Sequence, residues 1–149
     1  MEFREYLCDL TEVGTELDIK VNALEGYPLC GVKDLDTYHF LIGRKCTAGV
    51  STITIASDGL VRPCPHIDES FGNIFRESIS TIWERMKVWR DGTFIPQTCR
   101  VCSLLGICGS GCRMAAKMEY NSLSALDPYC VPIFFSVRNI IGFNSKLPQ

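Results

Sequence analysis

The sequence predicts an α+β fold in which helices and one β-hairpin surround cysteine-rich loops. Three observations predict it. Apolar residues recur at helical spacing in separate stretches, one short stretch alternates apolar and polar residues around an Asp-Gly step, and seven of the nine cysteines form one ordered frame. A chain of 149 residues can bury about two thirds of the surface that it exposes when unfolded, so disulfides are not needed for folding.

The first predicted element is a helix over residues 3–17, and a strand follows it at once. The apolar stripe of the helix consists of Phe3, Leu7, Leu10, Val13 and Leu17. Residues 18–24 then alternate apolar and polar side chains, as a strand does. A helix leading into a strand is half of a βαβ unit and has no sheet of its own here. We therefore expect this part to be the trailing edge of a larger structure.

The next predicted element is a β-hairpin over residues 50–64. Its strands meet at Ser57-Asp58-Gly59, where the glycine supplies the positive φ that a tight turn requires. The two strands are expected to bring Cys46 and Cys64 toward one end of the hairpin.

Three further helices are predicted. Residues 78–90 carry apolar side chains at helical spacing, with Ser78 as the N-cap and Asp91-Gly92 as the stop. A second helix covers residues 113–120. Residues 131–143 are the most apolar stretch, but it is interrupted and too short to cross a bilayer, so we expect a terminal helix packed on the core.

Composition and charge exclude several classes of protein. The net charge is −2 and the basic residues are scattered, so no nucleic-acid partner is expected. Residues 1–10 are charged and lack the features of an export signal, and no segment suits a membrane. We therefore expect a cytoplasmic protein, in a compartment where thiols stay reduced.

The cysteine frame is the most informative motif. It reads Cys46-x12-Gly59-x4-Cys64, then Cys99-x2-Cys102-x5-Cys108-x3-Cys112, then Cys130. The x2 pair alone would suit zinc or iron, whereas the x5 and x3 continuation favours iron–sulfur chemistry over the two short pairs typical of zinc. A cubane cluster takes four thiolates, so seven cysteines are one short of the number for two clusters.

This frame resembles the SPASM domain, the C-terminal auxiliary-cluster module of many radical S-adenosylmethionine enzymes. The family motif is C-x9–15-G-x4-C, a gap, C-x2-C-x5-C-x3-C, a gap and C, and every part of it is present in order. The resemblance implies that residues 33–149 are a SPASM-type auxiliary-cluster domain with a C-terminal helix. Residues 1–32 look like the last αβ element of the enzyme's barrel with the start of a connector.

The resemblance also implies the cofactors and their ligands. Two 4Fe-4S clusters are expected, and the family scheme assigns to the second one Cys99, Cys102, Cys108 and Cys130. It assigns to the first Cys46, Cys64 and Cys112. The candidate for the fourth ligand is Cys30, and the alternatives are an iron that stays open and a Cys30 thiol that binds no metal. We expect Cys8, on the predicted first helix, to be a buried small hydrophobe.

The radical-generating motif C-x3-C-x2-C occurs nowhere in the sequence. S-adenosylmethionine is therefore expected only through a missing or partner barrel, in cis or in trans, and no catalytic residue is predicted. The implied function is a maturase domain whose clusters bind substrate or relay electrons while a peptide, protein or cofactor precursor is modified. Two alternatives stay open from the residues: a freestanding iron–sulfur electron-transfer protein and a structural zinc-binding interaction module.

Overall fold

The computed structural model describes residues 3–23, 26–30, 32 and 34–130, and its architecture is α+β, as predicted. The helices are α1 (Phe3–Glu16), α2 (Ile79–Arg85), α3 (Gln97–Arg100), α4 (Leu105–Cys108) and α5 (Arg113–Tyr120). The strands are β1 (Thr54–Ile55), β2 (Leu60–Arg62) and β3 (Gly72–Asn73), and they form one antiparallel sheet in the order β1-β2-β3. Two short 3-10 helical turns cover His39–Leu41 and Met86–Trp89.

Helix α1 confirms the first predicted helix, but two predictions beside it are wrong. Residues 18–23, the described part of the predicted strand, form no strand, because extended backbone is stable only when a neighbouring strand takes up its hydrogen bonds. Cys8 is exposed rather than buried, because its side of α1 faces solvent, and its Sγ lies 2.9 Å from Tyr38 Oη.

The predicted hairpin is confirmed. Strands β1 and β2 pair in an antiparallel register that places Thr54 opposite Arg62. Gly59, at the turn between them, has a φ of +83°. Strand β3 was not predicted, because two residues are too short for an alternating pattern. It pairs with the other edge of β2, Leu60 against Asn73.

Helix α2 begins at the predicted N-cap, where the backbone N–H of Thr81 donates to Ser78 Oγ at 3.3 Å. The α-helix ends at Arg85, earlier than predicted, and continues as the 3-10 turn Met86–Trp89.

Helix α5 confirms the prediction for residues 113–120. The predicted helix over residues 131–143 lies outside the described residues. Within the described part of the chain, no helix is long and apolar enough to cross a membrane.

Two groups of buried apolar side chains form the core. One consists of Val61, Ile82 and Met86 and joins the sheet to α2. The other consists of Leu7, Leu29, Leu41 and Cys108 and joins α1 to α4. The second group matters for the site, because it places one cysteine of the frame in the hydrophobic core.

Candidate metal centre

The four closely spaced cysteines lie on a chain segment that turns sharply. Cys99 belongs to α3, Cys108 ends α4, and Cys112 is the N-cap residue of α5. Between the last two, Gly109, Ser110 and Gly111 have φ of +67°, +70° and +76°. Three successive left-handed residues reverse the chain, and glycine at two of them reduces the steric cost. The cysteines at the two ends of this segment have different neighbours: Cys112 acts on Cys46, whereas Cys108 acts on Cys99 and Cys130.

One set of thiols, here called the second cysteine group, contains the four ligands predicted for the second cluster together with Cys30. Its members are Cys30, Cys99, Cys102, Cys108 and Cys130. Cys30 Sγ lies 2.6 Å from Cys130 Sγ, although one hundred positions separate the two residues in sequence. The backbone N–H of Leu29 donates to Cys108 Sγ at 3.4 Å. The group thus draws on the N-terminal connector, on α3 and α4, and on the end of the described chain.

The thiols of this group also act on one another electrostatically. Burial raises the pKa of the Cys99 thiol, and the nearby thiols of Cys108, Cys30 and Cys102 raise it further. The pKa of Cys130 is raised chiefly by its hydrogen bond with Cys30 and then by burial. These thiols must lose protons to become metal ligands, so metal binding at this group releases protons.

The remaining thiols form the first cysteine group, which consists of Cys46, Cys64 and Cys112. Burial raises the pKa of Cys46, and the negative charges that Cys112 and Cys64 carry when ionised raise it further. Hydrogen bonds from the backbone N–H groups of Ala48 and Arg113 oppose that rise. His66 Nδ1 lies 3.5 Å from Cys64 Sγ.

A buried acid and a buried base adjoin the first group. Asp127 accepts hydrogen bonds from the backbone N–H groups of Cys112, at 2.7 Å, and Tyr129, at 2.9 Å. Arg113 follows Cys112 directly and is only 5% exposed. Burial raises the pKa of Asp127 and lowers that of Arg113, and the attraction between the two charges opposes both shifts. Sequence reasoning missed both residues, because polar side chains beside a ligand motif are ordinary surface residues by default.

The donor set fits iron–sulfur chemistry. No disulfide joins any of the nine cysteines, all of which lie among the described residues. Thiolates are the ligands that iron–sulfur clusters select, and backbone amides near the sulfurs are typical of such sites. In the same part of the chain, no three His, Cys, Asp or Glu side chains form a group that could hold a single metal ion.

The comparison with protein families decides what this site is. Residues 46–103 match the model of the SPASM family, an iron–sulfur cluster-binding domain. This match identifies residues 46–103 as a SPASM domain. The SPASM match includes four cysteines of the frame and ends before Cys108, Cys112 and Cys130. The matched residues are accordingly those of an iron–sulfur cluster-binding domain.

A solved structure resembles the SPASM chain at low identity. SuiB from Streptococcus suis is 23% identical over 86% of this chain, with a TM-score of 0.46. The matched region covers 33% of SuiB, so this chain spans about a third of that protein's length. No curated protein sequence matches the chain.

Proposed function

We propose that this chain is the auxiliary-cluster domain of a radical S-adenosylmethionine maturase. In this proposal it holds two 4Fe-4S clusters, which bind substrate or relay electrons while a peptide, a protein or a cofactor precursor is modified. The domain proper covers residues 33–149, and the protein acts in the cytoplasm. The observation that carries the proposal is the division of eight cysteines into two groups, one of five thiols and one of three.

The second cysteine group offers a full ligand set. Four of its thiols, Cys99, Cys102, Cys108 and Cys130, satisfy the four positions of a cubane cluster. Cys30 was the sequence-based candidate for the other cluster. Its 2.6 Å contact with Cys130 Sγ favours a place for Cys30 beside the second cluster instead.

The first cysteine group offers three thiols, Cys46, Cys64 and Cys112. Three ligands leave one iron of a cubane cluster open to a further donor. A cavity of about 440 Å³ is lined by Cys112, Asp127 and Tyr129, and also by Leu7 and Leu10 of α1. A cavity that reaches a ligand residue supports a role in holding substrate at the first cluster.

The N-terminal part supports a radical-bearing partner, in the same polypeptide or in another. Apolar side chains of α1 and the segment after it are exposed, with Leu10 at 49%, Leu17 at 63% and Ile19 at 55%. Neighbouring exposed apolar side chains are typical of a surface that packs against another domain. We propose that residues 1–32 are the trailing αβ element of a barrel together with the start of a connector.

The proposal is tested by counting iron, acid-labile sulfide and zinc on protein purified without oxygen. The wild-type chain is expected to hold about eight irons and eight sulfides. Cys46→Ala is expected to remove about half of both, because it disables the first group alone. Cys8→Ala, which removes an exposed thiol outside both groups, is the matched control and should leave both counts unchanged.

Two outcomes would contradict the proposal. Zinc with negligible sulfide after anaerobic reconstitution would indicate a structural zinc module. Loss of all iron in Cys46→Ala would indicate a single shared site instead of two.

A further inference from the structure

Arg113 is a cation that is only 5% exposed and has an incomplete set of hydrogen bonds. Its Nη1 donates to the carbonyl oxygens of Phe94, Leu123 and Ala125, and its Nη2 donates to that of Ser110. Its Nε is also buried, yet it has no hydrogen-bond partner within the part of the chain that the structure describes. A buried donor without a partner requires an explanation, and an unseen ion or cofactor is one of the recognised explanations.

The position of Arg113 in the fold indicates which group would accept a hydrogen bond from its Nε–H. Arg113 is the first residue of α5, directly after Cys112, and its backbone N–H hydrogen bonds to Cys46 of the first group. Its positive charge also acts on Cys99 of the second group, where it opposes the effect of burial. One cation therefore lies within electrostatic reach of thiols from both groups.

The surrounding charges do not fully compensate Arg113. Asp127 is the carboxylate whose charge acts on it most strongly, and both of that side chain's oxygens already accept backbone hydrogen bonds. Carbonyl oxygens cover the Nη1 and Nη2 side of the guanidinium. A buried cation is stabilised by nearby anions, and deprotonated cysteines with their inorganic sulfides supply negative charge.

We propose that Arg113 is a positioning residue shared by the two clusters, whose charge raises the reduction potentials of both and whose Nε–H donates a hydrogen bond to a sulfur. The inference rests on the proposed function, because it requires two clusters. A fixed cation stabilises the reduced, more negative form of a cluster, and hydrogen bonds to sulfur act in the same direction. The consequence is that the two clusters are tuned together and not independently.

The experiment is an EPR-monitored redox titration of anaerobically reconstituted full-length protein with dithionite. Arg113→Gln is expected to lower both midpoint potentials by the equivalent of about a tenfold change in each reduction equilibrium, or about 59 mV for a one-electron couple. Arg113→Lys, which keeps the charge, should recover at least part of both shifts. Repeating the titration in a Cys46→Ala background assigns one midpoint to the second group.

The matched control is Arg100→Gln. Arg100 also follows a cysteine of the frame directly, but it is exposed and its Nη2 donates to the carbonyl oxygen of Gly92. Its removal should move neither midpoint by more than a small part of the Arg113→Gln shift. Equal shifts in the two variants, or a shift of one midpoint alone in Arg113→Gln, would overturn the proposal.

Arg113→Gln could fail to fold, because four carbonyl oxygens lose their donor. In that case Asp127→Asn provides the test, because it removes the negative charge that partly offsets the positive charge of Arg113. It should raise both midpoints, and unchanged midpoints would overturn the proposal. The iron and sulfide count of the wild-type protein separates this failure from failure of the proposed function. If the protein holds about eight irons and eight sulfides but the midpoint potentials do not move, the two clusters are supported and only the role of Arg113 is overturned.

Discussion

At the residue scale, Asp127 connects the end of the described chain to a predicted ligand. It is 2% exposed, and its carboxylate satisfies the backbone N–H groups of Cys112 and Tyr129. Asp127→Ala would leave two partly buried donors without acceptors, at about 1–2 kcal/mol for each, the lower part of the range for buried groups. We expect the free energy of unfolding to fall by about 2–4 kcal/mol, measured by urea titration of the anaerobic protein. Asp68→Ala, at an exposed position, is the control, and an equal loss there would contradict this role for Asp127.

Gly111 provides a second test at this scale. Its φ is +76°, and a Cβ on this residue would lie 2.5 Å from Asp127 Oδ2. Gly111→Ala would therefore add backbone strain of roughly 1–2 kcal/mol and displace the carboxylate that holds the Cys112 N–H. We expect iron per chain after reconstitution to fall by roughly half or more, because metal binding depends on a formed site.

The matched control for Gly111 lies in the same cysteine-rich segment. Gly106 belongs to α4, and a Cβ there would meet nothing within 4 Å. Gly106→Ala should keep its iron. Similar iron contents in the two variants would show that the left-handed turn does not determine how Cys112 is placed.

At the element scale, α2 is attached to the sheet by one buried side chain. Ile82 is fully buried beside Val61 and Met86, whereas Ile79 on the same helix is 45% exposed. Ile82→Ala should cost about 2–5 kcal/mol of unfolding free energy, because it leaves a cavity in the core. Ile79→Ala should cost less than about 1 kcal/mol. Urea titration of both variants checks the difference, and equal costs would indicate that α2 does not pack as described.

The elements that could be predicted from sequence are those with a strong local signal. Helix α1 has a clear apolar stripe, the hairpin has an Asp-Gly step, and α2 has a serine cap. Helices α3 and α4 have four residues each, which is too short for a periodic pattern. The predicted strand over residues 18–24 failed for a different reason, since a strand depends on a partner that no local pattern supplies.

The candidate site shows the same division between local and distant information. The order and spacing of the cysteines, together with the family resemblance, predicted the SPASM domain. The contact between Cys30 and Cys130 joins residues one hundred positions apart, so spacing could not predict it. The burial of Arg113 and Asp127 depends on how several loops pack together, which one sequence does not reveal.

At the scale of the whole molecule, metal sites would act as cross-links between distant parts of the chain. The second cysteine group joins the connector at Cys30 to α3, α4 and the residues around Cys130. The described sheet is small, with strands of two or three residues, so the other long-range links in this region are the contacts of the buried core of Leu7, Leu29, Leu41 and Cys108. In small metallodomains the free energy of metal binding is largely free energy of folding.

Cys102→Ala should therefore remove the second cluster and much of the stability together. We expect the variant to lose about half of its iron and sulfide and to unfold at a clearly lower urea concentration than the wild-type protein. Wild-type protein treated with an iron chelator should fall to the same midpoint or below it, because the same stabilising ligand has been removed. Cys8→Ala is the control, since that thiol is exposed and contacts Tyr38 rather than another cysteine. Full iron content and an unchanged midpoint in Cys102→Ala would mean that this cysteine is not a ligand and that the second group is assembled differently.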